Sequence, residues 1–336
     1  MANWFVISFW NLLIVSFFQL SISAHCNLVE FIMNCSGIAD EVFKDPIEPQ
    51  DVFSSSPYTQ LRYRLKERGW DIIAVESDKF GNGDVVVFNN VPNNSDLARL
   101  KKLKCKKILT IWEPPTVCPE VHQKKVHSLF DRIITWNDNL VDGSRYIKYG
   151  YPVNHGMVLN LPSFSERKLV CTIIGNKTSS HPNELYSERI RLLNFYEKNS
   201  HLSFDLFGFS KSDHPCYVCS PEDKLAVLKN YRFCYAFENY LNNDGYITEK
   251  IFDPLMVGSV PIYLGATNIA DYIPAGCFID AREFNTYSKL HSYIESMEEK
   301  VWQNYLNNIQ KYVNSVQGDR FRTKQLVKAY LKAIFE

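Results

Sequence analysis

The sequence predicts an α/β chain of two Rossmann-like, doubly wound domains facing a cleft, followed by a C-terminal helical segment. Three observations carry this. Short β-branched or aromatic runs alternate with stretches of helical spacing, which is the grammar of parallel sheets. That grammar stops at residues 150–165, where Pro152, Gly156 and Pro162 interrupt it, and then restarts. The end of the chain drops the strands and keeps only helical stripes. A length of 336 residues suits two domains of ordinary size.

In the first half, strands are expected at 28–33, 71–75, 84–88, 108–112 and 133–135, with a helix at 58–68 closed by Gly69. After the linker, strands are expected at 169–174, 203–207, 231–237, 260–264 and 277–279. Leu290, Ile294, Met297, Val301, Tyr305, Ile309 and Tyr312 then keep helical spacing, and a last stretch from Phe321 adds Leu326, Val327, Tyr330, Leu331 and Ile334. The division that follows is an apolar segment at 1–25, an N-terminal domain at 26–158, and a C-terminal domain at 165–336 that includes the terminal helices.

Lys plus Arg and Asp plus Glu are equal at 37 each, so the chain has no general electrostatic grip on nucleic acid, and any anionic ligand must be held by local charge. The first 43 residues contain no Lys or Arg, and residues 4–22 form a nearly unbroken apolar run. About 19 apolar residues can just span a bilayer. Ser21, Ser23 and Ala24 follow the run, as a signal cleavage site requires, but no basic region precedes it. An uncleaved membrane anchor, a cleaved signal and a helix docked on the fold all fit. The first two route the chain into the secretory pathway.

Nine cysteines cannot all pair within one chain, and Cys216 with Cys219 forms a CxxC that has no second pair or His cluster beside it. Structural thiols or one or two disulfides fit this better than zinc. Asn34, Asn93 and Asn176 begin N-x-S/T triplets, weak support for a secretory route.

In open α/β sheets ligands bind beyond the carboxyl ends of strands. Glu113 follows the fourth expected strand and is fixed by Pro114 and Pro115. Asn176 follows the sixth, and Glu238-Asn239 follow the eighth. Each alone reads equally as a turn or capping residue. Arg189 shares its helical face with Leu185, Leu192, Leu193 and Tyr196. A charge there needs a carboxylate or a bound phosphate, unless the side chain snorkels off the stripe.

Residues 242–250 (Asn-Asn-Asp-Gly-Tyr-Ile-Thr-Glu-Lys) are the densest polar run. Thr248 suits an N-cap, which puts Lys250 in the first helical turn, where a cation is unfavourable unless an anion is bound. Pro254 raises an alternative in which the regular helix starts nearer Asp253.

Phe237-Glu238-Asn239, then Gly245-Tyr246-Ile247-Thr248-Glu249-Lys250, then Gly258-Ser259-Val260-Pro261-Ile262-Tyr263-Leu264-Gly265 resemble the signature of glycosyltransferase family 10, the α-1,3/4-fucosyltransferases. The likeness continues into Tyr272-Ile273-Pro274 and Phe278-Ile279. It covers residues 169–284 well and the first half thinly. Tyr240 stands where the family commonly has serine, and Asp253-Pro254 where Asn-Ala is frequent.

The resemblance implies a GT-B architecture, GDP-fucose as donor, an oligosaccharide, glycoprotein or glycolipid acceptor, and inversion at the anomeric carbon. Lys250 and Arg189 resemble the family's cations on the diphosphate, with Arg191 as the neighbour to exclude. Glu249 and Asn239 resemble its ribose and fucose contacts, with Tyr246 lining the pocket. Glu113, in Trp-Glu-Pro-Pro, resembles the proposed catalytic base. The chain has no Asp-x-Asp motif, so no obligatory metal is expected, and Mn or Mg is expected at most to stimulate. Two rival readings remain: a related transferase using another nucleotide sugar, and a non-catalytic glycan-binding relative, which should have lost Glu113, Lys250 or Arg189.

Overall fold

The computed structural model describes residues 27–33, 43, 56–76, 79–89, 92–153, 156, 160–208 and 213–336. The apolar run at 4–22 and the Asn34 triplet lie outside them. Among the described residues no helix is long and apolar enough to cross a membrane.

The first domain runs β1 (Asn27–Met33), α1 (Pro57–Lys66), β2 (Trp70–Val75), β3 (Val85–Asn89), α2 (Asn94–Leu100), β4 (Lys106–Ile111), α3 (Lys124–His127), β5 (Arg132–Thr135) and β6 (Tyr146–Lys148). Its strands form one parallel sheet ordered β2-β1-β3-β4-β5-β6. Every residue of β3 is buried, as is β4 from Ile108 onward. Strands covered on both faces read as unbroken apolar runs, which is why the sequence located them.

The second domain runs β7 (Lys168–Ile173), α4 (Tyr186–Lys198), β8 (Asp205–Phe207), β9 (Tyr217–Cys219), α5 (Lys224–Leu228), β10 (Tyr231–Phe237), α6 (Glu249–Met256), β11 (Val260–Leu264) and β12 (Ile279–Asp280). It continues through α7 (Tyr287–Glu295), α8 (Glu299–Val313) and α9 (Thr323–Phe335). The sheet is parallel and ordered β12-β11-β10-β7-β8-β9. The chain therefore winds outward in both directions from β7 and β10, and a crevice opens between their carboxyl ends.

Three expectations are corrected. The strand expected at 277–279 is a 3-10 turn at Ala275–Cys277 followed by the two-residue β12, because Pro274 fixes the turn. The regular helix does not start at Asp253. Thr248 caps it by accepting from the Lys250 amide, and Pro254 is accommodated inside its eight residues. Glu249 in the first turn suits the helix dipole, and so short a helix loses only one bond to the proline.

The third correction concerns α9, which sequence order groups with the second domain. Its buried stripe of Leu326, Val327, Ala329, Tyr330, Ala333 and Ile334 joins Val29, Phe31, Leu61, Val87 and Ile108 in the core of the first. Tyr330 lies within hydrogen-bond distance of Thr110 Oγ1 (3.1 Å) and Asn89 Oδ1 (3.2 Å). The returning chain also ties the linker, since the Val153 amide donates to Phe321 O at 2.7 Å. Cys216 precedes β9 and Cys219 ends it, both as free thiols.

Candidate active site

At the crevice, β10 ends in Phe237, and Glu238 then turns beneath the start of α6. Glu238 is fully buried. Its oxygens accept from the Thr248 amide at 2.8 Å and the Thr248 hydroxyl at 2.9 Å, and Lys250 Nζ lies 3.4 Å away. Lys250 also reaches Thr248 Oγ1 at 3.1 Å and Glu249 at 3.3 Å. Burial works against the Lys250 ammonium, but Glu238 and Glu249 hold its pKa above the usual lysine value, so it stays charged. Burial likewise works against the Glu249 carboxylate, and Lys250 outweighs it and holds the group below the usual range. Both Lys250 and Glu249 line the cleft.

The loop before α6 is set against the first domain. Gly245 has φ of +87°, and a Cβ there would meet the Trp136 carbonyl, Lys148 Nζ at 2.5 Å and an Asp138 oxygen at 2.7 Å. Only glycine combines that backbone with that approach. The Gly245 amide donates to Asn268 Oδ1 at 2.9 Å, and Asn268 Nδ2 donates to Asp138 at 2.9 Å. Asp138 also accepts from Tyr272 at 2.6 Å and pairs with Lys148 at 2.6 Å. One carboxylate of the first domain thus gathers Tyr272 and Asn268 of the second beside its own Lys148. Next to Gly245, the Tyr246 ring packs 4.8 Å from Trp136 and lines the cleft.

Arg189, on α4, is buried as its stripe requires. It donates to Phe237 O at 2.7 Å and lies 5.2 Å from the Tyr186 ring, while its Nε is buried without a partner. Asn239 is equally buried. Its Nδ2 donates to Tyr186 at 3.3 Å, and its Oδ1 has no partner. Both residues line the cleft, so an unused donor and an unused acceptor stand ready for a ligand there. Arg191 instead pairs with Glu188 on the exposed side of α4.

Glu113 follows β4 across the cleft. Burial raises its carboxyl above the ordinary glutamate value, and Lys250 and Lys177 oppose the rise. Its backbone carbonyl is held by His122 Nε2 at 2.9 Å. Burial pushes the His122 pKa down to about 4, so the ring is neutral near pH 7.

The cleft has a volume of about 350 Å³ and brings together Glu113, Arg189, Asn239, Tyr246, Glu249 and Lys250. Two expected site residues stand apart. Glu238 lies under the floor with its oxygens already engaged, so it holds Thr248 and Lys250 rather than a ligand. Asn176 is exposed and outside the lining, whereas its neighbours Gly175 and Lys177 are in it. Sequence reasoning missed Trp112, Tyr151, Lys177, Tyr186, Lys224 and Asp253. Tyr186 precedes Arg189 by three residues and Asp253 follows Glu249 by four, so helical spacing signalled both. Nothing in the sequence pointed to Lys224 or Tyr151. Four cations (Lys177, Arg189, Lys224, Lys250) and three carboxylates (Glu113, Glu249, Asp253) line the space, which suits a ligand with an anionic centre and polar ends.

The chain is similar to known fucosyltransferases. The chain is 28% identical over 206 residues to 4-galactosyl-N-acetylglucosaminide 3-alpha-L-fucosyltransferase 9 of Mus musculus, a match covering 59% of this chain and 52% of that one. The chain thus spans about half the length of the curated relatives it matches. A crystal structure of an alpha1,3-fucosyltransferase superposes with a TM-score of 0.58 at 18% identity, covering 95% of this chain and 93% of that one. The same enzyme name with GDP-fucose bound gives 0.54 at 18% identity, over 92% and 90%. These likenesses give the chain a GT-B fold. Residues 164–328, the half that carries the cations, match the C-terminal model of glycosyltransferase family 10 (fucosyltransferase), and through that half the chain belongs to the family.

Proposed function

We propose that the chain transfers fucose from GDP-fucose to a hydroxyl of a glycan acceptor, with GlcNAc in α-1,3 or α-1,4 linkage as the acceptor site, and with inversion. The observation that carries this is the pairing of a cationic pocket on one domain with a raised carboxylate, Glu113, on the other. Relatives and a solved neighbour named as α-1,3-fucosyltransferases, the latter with GDP-fucose, support the choice of donor.

In this mechanism Glu113 removes the acceptor hydroxyl proton. The freed oxygen attacks the anomeric carbon on the face opposite GDP, and the bond to the β-phosphate oxygen breaks with its electrons leaving on the diphosphate. A carboxylate raised toward neutral pH is the better base. Lys250 and Arg189 meet the growing diphosphate charge, and such preorganised groups are each worth about 3–4 kcal/mol. Glu249 takes the ribose, Asn239 the fucose hydroxyls, and Tyr246 closes the wall. Because basic side chains neutralise the diphosphate, Mn or Mg is stimulatory at most. A secretory-pathway location, with residues 4–22 as anchor or signal, completes the reading.

A donor screen tests it. The protein is incubated with GDP-fucose, GDP-mannose and UDP-sugars, with and without a chelator, and transfer or hydrolysis is measured. GDP-fucose should be consumed fastest, and consumption should persist with the chelator. Preference for another donor favours the related-transferase reading, and no turnover of any donor favours the glycan-binding one.

A further inference from the structure

One carboxylate in the cleft has no part in the transfer step. Asp253 stands four residues after Glu249, so the two project from the same face of α6, one turn apart. Both line the cleft. Among the described residues no hydrogen bond or ion pair reaches the Asp253 carboxylate. Burial and the nearby Glu249 raise it to about 6, against the pull of Lys224 and Lys250. Ile173, Leu228 and Pro254 line the same cleft and supply apolar walls for a flat group. Lys224, the first residue of α5, also lines it and has no ion-pair partner among the described residues. The buried, unpartnered Arg189 Nε and Asn239 Oδ1 show independently that this space is built for a ligand.

We propose that Asp253 and Lys224 read the base of the bound nucleotide and select guanine. The proposal rests on the reading of this cleft as a GDP-sugar site. The pairing edge of guanine presents a carbonyl acceptor at O6 next to two donors, N1–H and the 2-amino group. A carboxylate accepts from both donors, and an ammonium beside it donates to O6, so the residue pair is complementary to that edge. Uracil presents a single N–H between two carbonyls, which would set one carbonyl against the carboxylate. Adenine presents one donor and a bare ring nitrogen. An unmatched polar group in such a site discriminates strongly, because the carboxylate is then left desolvated without a donor. Placement along α6 agrees: with the ribose at Glu249, the base lies one turn further on, at Asp253, while the sugar end points to Glu113.

The test is equilibrium titration of the full chain with GDP, inosine diphosphate (no 2-amino group) and xanthosine diphosphate (a 2-oxo group in its place). The wild type should bind GDP at least about tenfold more tightly than inosine diphosphate, the cost of one hydrogen bond to a charged group. Asp253→Asn should lose GDP affinity and gain affinity for xanthosine diphosphate, since its amide donates where the carboxylate accepted. That gain also shows the variant is folded. Lys224→Met should weaken GDP and inosine diphosphate alike, because both carry O6. A wild type that binds GDP and inosine diphosphate equally overturns the base-reading role and leaves the GDP-sugar reading intact. So does Asp253→Asn with parental GDP affinity. A wild type that binds UDP but not GDP overturns both.

Discussion

The Lys250 ammonium lies 3.4 Å from the carboxylate of Glu238, which is fully buried, while about a quarter of the Lys250 side chain remains exposed toward the cleft. A lysine held in this way is set by the protein's own carboxylates rather than left as a mobile surface cation. Lys250→Ala should therefore lower GDP affinity about a hundredfold, the loss of a buried charged contact. Glu238 keeps its bonds from Thr248 and, without its cation, should take up a proton rather than unfold the domain. Calorimetric titration with GDP and a thermal melt separate the two effects. Unchanged affinity in a folded variant removes Lys250 from the site.

Arg189 and Arg191 stand two residues apart with opposite fates. Arg189→Ala should weaken GDP binding about tenfold to a hundredfold and cost about 1–3 kcal/mol of stability, because Phe237 O loses its donor. Arg191→Ala removes a surface pair with Glu188 and should change stability by less than about 1 kcal/mol and GDP affinity not at all. Denaturant melts and GDP titrations of the two variants check this. The reverse pattern would mean that α4 presents its other face to the ligand.

Asp138 is one of the contacts between the domains, bonded to Tyr272 and Asn268 of the second. Burial raises its carboxyl, but hydrogen bonds from Lys148, Tyr272 and Asn268 outweigh this and hold it below the usual aspartate range. Its stabilising contribution is therefore complete above the unfolded value of about 3.9 and is lost as pH falls through the lower folded value. Asp138→Ala should destabilise the chain by about 2 kcal/mol near neutral pH, with the gap to the parent closing in acid. It should also weaken GDP binding, because Asn268 then loses one of the anchors that set Gly245 and Tyr246. Melts from pH 7 downward test this: the gap should hold down to about pH 4 and narrow only below it, and a gap that widens in acid contradicts it. Neither Asp138 nor Glu76 is available as an alternative base, since Asp138 is engaged and Glu76 pairs with Lys79 on the surface.

Legibility in the sequence followed burial. β3, β10 and β11 were readable because both faces are covered and their residues are almost uniformly apolar. β6 and β9, three residues each at sheet edges, left no such run. The stripe of α9 announced a buried face but not which sheet would cover it. In the site, Arg189 was readable because a charge on an apolar stripe is conspicuous, and Glu113 because it ends a buried strand. Glu238 was misread because a strand-end carboxylate looks the same whether it faces a ligand or the helix beneath. Lys224 and Tyr151 reach the cleft only through the path of the folded chain, which no local pattern encodes.

Deleting residues 1–24 should leave donor affinity intact, since the first strand begins at Asn27 and its parallel pairings run from there. Solubility after ultracentrifugation and a GDP titration of the truncated protein test it. An insoluble product without GDP affinity would show instead that the apolar run packs on the fold.

The central claim is that Glu113 is the general base facing the donor across the cleft, and the kinetics of Glu113→Gln test it most directly. The substitution keeps the shape and removes the proton acceptor. The variant should bind GDP as the parent does and transfer fucose about 10²–10⁴ times more slowly. If Glu113 only shaped the turn before Pro114, its loss would cost about 1 kcal/mol of stability and leave turnover per folded molecule nearly normal. In the parent, kcat/KM should fall on the acid side at a pH above that of an ordinary glutamate, following the raised carboxyl. Parental GDP affinity with almost no transfer is the predicted result. Transfer at a tenth of the parental rate or more would contradict the assignment.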